Sequence, residues 1–159
     1  MENSRFEKPA YAESFRDLVV YQKLKQLALE IFRVSTSFPR EEMYSLTNQI
    51  RRSSRSIGAQ ITEAWAKRRY TRHFLSKLSD ADGEQQETQH WIDTAYDCCY
   101  LDSVQANELK KKCLEIGRLL GAMMAKADQF SGSSYKQVRE AAPEYFSDFK
   151  GDVNNGSKN

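Results

Sequence analysis

Two histidines, three cysteines, three prolines and seven glycines are spread over 159 residues, and each shortage removes a class of protein. Neither His73 nor His90 has cysteines or carboxylates at metal-ligand spacing, so no metal site is expected. Glu87 to His90 is a lone Glu-x-x-His match. Carboxylate-bridged metal bundles carry that motif on paired helices. Cys98, Cys99 and Cys113 are odd in number and two are adjacent, which argues against a disulfide framework. They are expected to be small apolar fillers of a reduced core. There is no glycine-rich phosphate loop, and nothing marks a pocket that would tune the carboxylates for acid/base work. The chain is therefore expected to hold no cofactor and not to be an enzyme. Its uncharged apolar runs are only a few residues long, too short for a membrane span. Met1-Glu2-Asn3-Ser4-Arg5-Phe6 lacks the apolar core of a secretory signal. A cytoplasmic location is expected.

The scarcity of glycine and proline leaves few turn formers, as suits a helical protein. Apolar residues make up 40% of the chain and charged residues 29%, with a mean hydropathy of -0.73. That is one core inside a heavily solvated surface. Helical periodicity begins at Phe15, with Leu18, Tyr21, Leu24, Ala28, Ile31 and Val34 at steps of three and four. Pro39 disfavours helix at Phe38 and ends this run. A second helix is predicted to start between Pro39 and Glu42. Its stripe is Met43, Leu46, Ile50, Ser54, Ile57, Ile61 and Ala64 or Trp65, the alternation of a bundle seam. Small residues, among them Ser53, Gly58 and Ala59, invite a close neighbour. The third helix, with Thr71 as predicted N-cap, carries Phe74, Leu75, Leu78, Ala81, Gln85, Ile92, Ala95, Tyr96 and Cys99. Gln85 and Thr88 interrupt its seam, so they either meet polar partners inside or face another subunit. Asp102 and Gln105 match a capping box. The fourth helix runs on Leu109, Cys113, Ile116, Leu120, Met123 or Met124, and Ala127, with Gly117 and Gly121 placed for close packing.

The expected fold is all-α, an up-down-up-down antiparallel four-helix bundle over residues 15–130. Residues 1–14 read as a flexible arm and 131–159 as a mostly disordered tail. The tail's Ala142-Pro143-Glu144-Tyr145-Phe146-Ser147-Asp148-Phe149 admits a second reading, as a short docking segment.

Charge is the informative feature. The net charge is +2, but residues 49–77 hold eight basic side chains against Glu63 alone, and residues 78–102 hold seven acidic ones and no lysine or arginine. Arg51 and Arg55 are one turn apart. Arg68, Arg69 and Arg72 cluster beyond, with Trp65 and Tyr70 among them. Guanidiniums interleaved with aromatics suit phosphates and stacked bases. The rival explanation is that the basic and acidic helices simply form salt bridges, within the bundle or between subunits; exposed pairs of that kind contribute about 0–1 kcal/mol each.

Phe38-Pro39, Glu42, Tyr44, Leu46-Thr47, Gln49, Arg51-Arg52, Ser56-Ile57, Ala59, Ile61 and Glu63 form a pattern. It resembles the four-helix-bundle proteins first noted in intervening sequences of bacterial 23S rRNA genes, a family related to the accessory proteins of diversity-generating retroelements. Phe15 to Gln22, then Ala81, Gly83 and Glu87, and Glu115 to Leu120 are similar to its other signatures. The resemblance covers roughly residues 15–128. It implies a homopentameric ring of bundles without enzymatic activity. It also implies, for the retroelement members, binding of a reverse transcriptase and of nucleic acid through a basic surface. Arg51 and Arg52 match the family's paired arginines. Gln60 stands where asparagine is usual, Ala64 where glycine is, Asp82 where a basic residue is common, and Glu84 where serine is.

The expectation is thus a non-catalytic oligomer that binds RNA or DNA, as accessory to a reverse transcriptase of such an element. Arg51, Arg52, Arg55, Lys67, Arg68, Arg69 and Arg72 would be its phosphate contacts. The alternative is a structural or adaptor assembly protein with no nucleic-acid role.

Overall fold

The computed structural model describes residues 12–131. The arm and tail expectations therefore lie largely outside the described residues. Four long helices pack as a bundle: α1 (Val19–Ser35), α2 (Asn48–Ala66), α3 (Thr71–Asp97) and α4 (Ser103–Ala125). A short α5 (Ala127–Phe130) follows, and no strand occurs among the described residues. Helix α2 packs against α1 and α3, and α4 packs against α3 and back onto α1.

Helix α1 starts later than its periodicity predicts. Ser14 and Asp17 form a capping box that closes a 3₁₀ turn over Phe15–Asp17, and Leu18 is extended, so the chain breaks before Val19. The buried face is Val20, Leu24, Leu27, Ile31 and Ser35. Leu27 replaces the expected Ala28 because the stripe turns slightly over four turns. The hydroxyls of Ser35, Thr36 and Ser37 donate to the carbonyls of Phe32, Arg33 and Val34, which satisfies the last turn before Pro39.

The entry to α2 was expected as ordinary helix and is not. A 3₁₀ turn (Arg40–Glu42) leads into a π turn (Met43–Thr47), and only then does α2 begin. The wider turn puts Leu46 and Thr47 into the core and leaves Met43 and Tyr44 outside. Along α2 the buried face is Ile50, Ser53, Ser54, Ile57, Gly58, Ile61 and Ala64. Gly58 is needed for the approach of α1, since a Cβ there would sit 2.8 Å from Leu24 Cδ1.

Thr71 does not cap α3. Tyr70 is the N-cap, extended and without a side-chain cap bond. The polar interruption at Gln85 and Thr88 is resolved inside the chain. Thr88 bonds Ser53 and the Glu84 carbonyl oxygen, while Gln85 bonds Asp82 and Gln89. Tyr96 is exposed rather than in the seam.

The cysteine expectation holds for Cys113 alone. Cys98 and Cys99 are exposed, because they form the C-terminal turn of α3, where Cys99 takes a left-handed φ of 61°. That conformation lets the Tyr100 and Leu101 amides return to the Ala95 carbonyl oxygen. The capping box of α4 is present as predicted, Asp102 with Gln105. Gly117 does pack closely, a Cβ there meeting Gln85 Nε2 at 2.9 Å, but Gly121 faces open space.

Cross-helix pairs mark the relative register of the helices. Lys23 meets Glu115 at 2.7 Å, and Glu30 meets Lys112. Arg52 meets Glu87 at 2.8 Å, Glu63 meets Lys77 at 3.2 Å, and Lys110 meets Asp93 at 2.8 Å.

Candidate nucleic-acid interface

The side of α2 that faces away from the core is as regular as the buried side. Tyr44, Asn48, Arg51, Arg55 and Ala59 follow one another at helical steps, with Arg52 beside them. Together with Gln49 and Ser56 they line an open groove of about 530 Å³ that no carboxylate lines.

The guanidiniums of this groove are held from below. Arg51 donates through Nε to Ser35 Oγ at 2.7 Å, and its guanidinium lies 4.9 Å from the centre of the Phe32 ring. Arg55 shares that ring at 5.9 Å. Each such contact contributes about 0.5–1 kcal/mol at an exposed site. It fixes the charge in place without cancelling it. Arg52 differs: it bonds Gln49 and pairs with Glu87 on α3.

The other predicted basic residues lie elsewhere. From Arg55 to the end of α2 is about 16 Å at 1.5 Å per residue, so the seven residues form two separate clusters. In the second, Lys67 pairs with Glu63 at 3.2 Å. Arg68 folds back, donating to the Trp65 carbonyl at 2.8 Å with its guanidinium 4.2 Å over the Trp65 ring. Arg69 and Arg72 are exposed.

These positions decide how far the acidic helix neutralises the basic one. Among the described residues, Arg52, Lys67 and Lys77 pair with carboxylates. Arg51, Arg55, Arg68, Arg69 and Arg72 do not. Three carboxylates of α3 are in turn paired at the surface: Asp80 with Lys77, Glu87 with Arg52, and Asp93 with Lys110. Hydrogen bonds from Lys67 and then Lys77 hold the Glu63 carboxyl below its ordinary range, and the Glu63 bond raises Lys77. Glu84 is pushed the other way, by burial first and then by the Glu87 charge.

Sequence reasoning missed Tyr44 as a member of the site, although it is 87% exposed at the groove's end. The signal was present as a second stripe, out of phase with the buried one. Its steps of four, three and four to Asn48, Arg51 and Arg55 put Tyr44 on their face even in a continuous helix. No group of three or more metal-ligating side chains is found among the described residues.

The profile of the 23S rRNA-intervening sequence protein family matches residues 16–122, from the turn before α1 nearly to the end of α4. Among solved structures, the chain is similar to a protein of unknown function from the S23 ribosomal protein family of Bacteroides thetaiotaomicron. The two share 29% identity over 67% of this chain and 96% of that one, with a TM-score of 0.61. No curated protein matches the chain. With the family's profile spanning all four long helices, the chain belongs to the 23S rRNA-intervening sequence protein family.

Proposed function

We propose that this protein is a non-catalytic, oligomeric nucleic-acid-binding protein whose phosphate-binding surface is the outer face of α2. The observation that carries this reading is the groove at Arg51, Arg52 and Arg55, with its positioned guanidiniums and no lining carboxylate. Arg69 and Arg72 extend the positive surface. An up-down-up-down order is part of this reading, supported by pairs whose numbers rise on α1 as they fall on α4, Lys23 with Glu115 and Glu30 with Lys112.

The oligomer is a cytoplasmic homopentamer, which multiplies a modest basic patch into a ring of positive potential. Val104 is 69% and Leu114 47% exposed on α4, apolar side chains that a neighbouring subunit would cover. Its role is accessory to a reverse transcriptase of a diversity-generating retroelement or a related element. The same apolar side chains also favour a second reading, an adaptor assembly in which nucleic acid has no part.

Anisotropy of labelled RNA and DNA, titrated at several salt concentrations, separates the two. Binding through α2 gives a steep log-log salt slope. An Arg52→Gln/Arg55→Gln variant should lose affinity and about one unit of slope per phosphate contact removed. Arg69→Gln/Arg72→Gln should do so more weakly. Unchanged affinity and slope in a folded Arg52→Gln/Arg55→Gln protein would leave the adaptor reading standing.

A further inference from the structure

We propose that the α2 groove selects single-stranded over duplex nucleic acid, and that Tyr44 is the residue that makes the distinction by stacking on an unpaired base. This inference rests on the nucleic-acid reading above and names the substrate class of that site.

Tyr44 is the most exposed of the large apolar side chains among the described residues. It sits in the π turn that precedes α2, and such turns recur at functional sites. The geometry gives it a place in line with the cations. From Tyr44 to Arg55 the row is about 16 Å long at 1.5 Å per residue, with Asn48 between ring and guanidiniums. An extended strand laid along this row would meet an aromatic face at one end and positive charges at the other.

Phe32 does not compete for that role, because the Arg51 and Arg55 guanidiniums already cover its ring. Tyr44 is therefore the free stacking platform in the groove. The ring is 87% exposed at the end of the groove. In a duplex the base faces are covered by their neighbours, so a protruding phenol finds only sugars and phosphates. In a single strand every base offers a π face, which makes stacking tolerant of sequence. The guanidiniums serve both substrates equally, since both carry phosphates. Discrimination then falls to the tyrosine.

The test uses the full chain with three fluorescent probes of equal length: an oligouridylate, an oligothymidylate and a blunt DNA duplex. Tyr44→Ala is expected to weaken both single strands about tenfold, with the duplex changed less than about twofold. Tyr44→Phe is expected to keep parental binding, since stacking needs the ring and not the hydroxyl. Tighter parental binding of oligouridylate or of oligothymidylate identifies the natural strand. The inference is overturned alone if Arg52→Gln/Arg55→Gln weakens all probes while Tyr44→Ala leaves the single strands unchanged. It is also overturned if Tyr44→Ala alters the particle mass in light scattering, which makes Tyr44 a subunit contact. If the parent binds none of the probes, the nucleic-acid reading itself falls.

Discussion

Thr88 on α3 and Ser53 on α2 meet at 2.9 Å between their hydroxyl oxygens, both fully buried in the middle of the bundle. Ser53 reaches the Ile50 carbonyl, and Thr88 the Glu84 carbonyl. The pair is a polar bridge across an otherwise apolar seam. It joins the two helices at this register, while each hydroxyl also keeps a carbonyl partner on its own helix.

The costs of removing the two partners should not add. Thr88→Val is expected to destabilise the fold by about 0.5–1.5 kcal/mol, the net worth of the interhelical bond, since Ser53 still reaches the Ile50 carbonyl. Adding Ser53→Ala should cost less than the sum of the two single changes. Urea denaturation of the four proteins in the cycle measures this coupling; simple additivity would show that the bridge carries no registry.

Two glycines should respond to alanine with opposite signs. At Gly58 a Cβ would press on Leu24 Cδ1 at 2.8 Å, and Leu24 is itself packed in the core. Overpacking of this kind costs about 1–3 kcal/mol and outweighs the gain in helix propensity, about 1 kcal/mol. At Gly83 nothing lies within 4 Å, so Gly83→Ala should stabilise by nearly the full propensity gain. Thermal melts of the two variants give the comparison directly.

Thiol reactivity should divide two to one. Cys98 and Cys99 are exposed, while burial pushes the Cys113 thiol up to about 12. Only a thiolate attacks a disulfide reagent. The native protein should therefore react with about two equivalents of such a reagent, and with the third only on unfolding. Prompt reaction of all three would mean that α4 opens readily.

Glu84 should make the fold sensitive to pH in an unusual direction. One of its carboxylate oxygens is buried without a hydrogen-bond partner among the described residues. Its pKa is raised above the ordinary 4.5, by burial foremost. A raised acid favours the folded state where it is protonated; that contribution is full below the unfolded value and disappears as pH climbs through the folded one. Glu84→Gln should thus raise the urea midpoint at pH 7 and change it little near pH 4. Equal effects at both values would assign the change to packing.

The four helices were legible because each carries a three-four stripe. Ile50, Ile57 and Ile61, or Leu109, Cys113, Ile116 and Leu120, fall where their spacing predicts. Apart from Leu27 for Ala28 and the open Gly121, the misreadings sit at the junctions, where hydrophobic period carries no information. Leu18 breaks α1 through a local capping box, Met43 leaves the seam because of a π turn, and Cys98 and Cys99 are exposed because they build a left-handed cap. The basic cluster was legible as composition, but its division was not. Whether Arg52 or Arg51 meets a carboxylate depends on which residues of α3 lie opposite, and no pattern within α2 encodes that. Tyr44, at helical steps from Asn48, Arg51 and Arg55, was legible as part of their face.

The start of α1 and the end of the bundle share a patch. Val19 and Val20 line one apolar groove with Leu119, Met123 and Phe130, and the Phe130 ring lies 5.2 Å from Phe74 at the beginning of α3. The covalent order of the helices is therefore separable from their packing. A circularly permuted chain that begins at α3, passes through α4, and returns by a short glycine-serine linker to α1 and α2 would bring together the same four helix interfaces. Its new ends would open between Lys67 and Tyr70, beside Arg69 and Arg72, and leave the Tyr44 groove untouched.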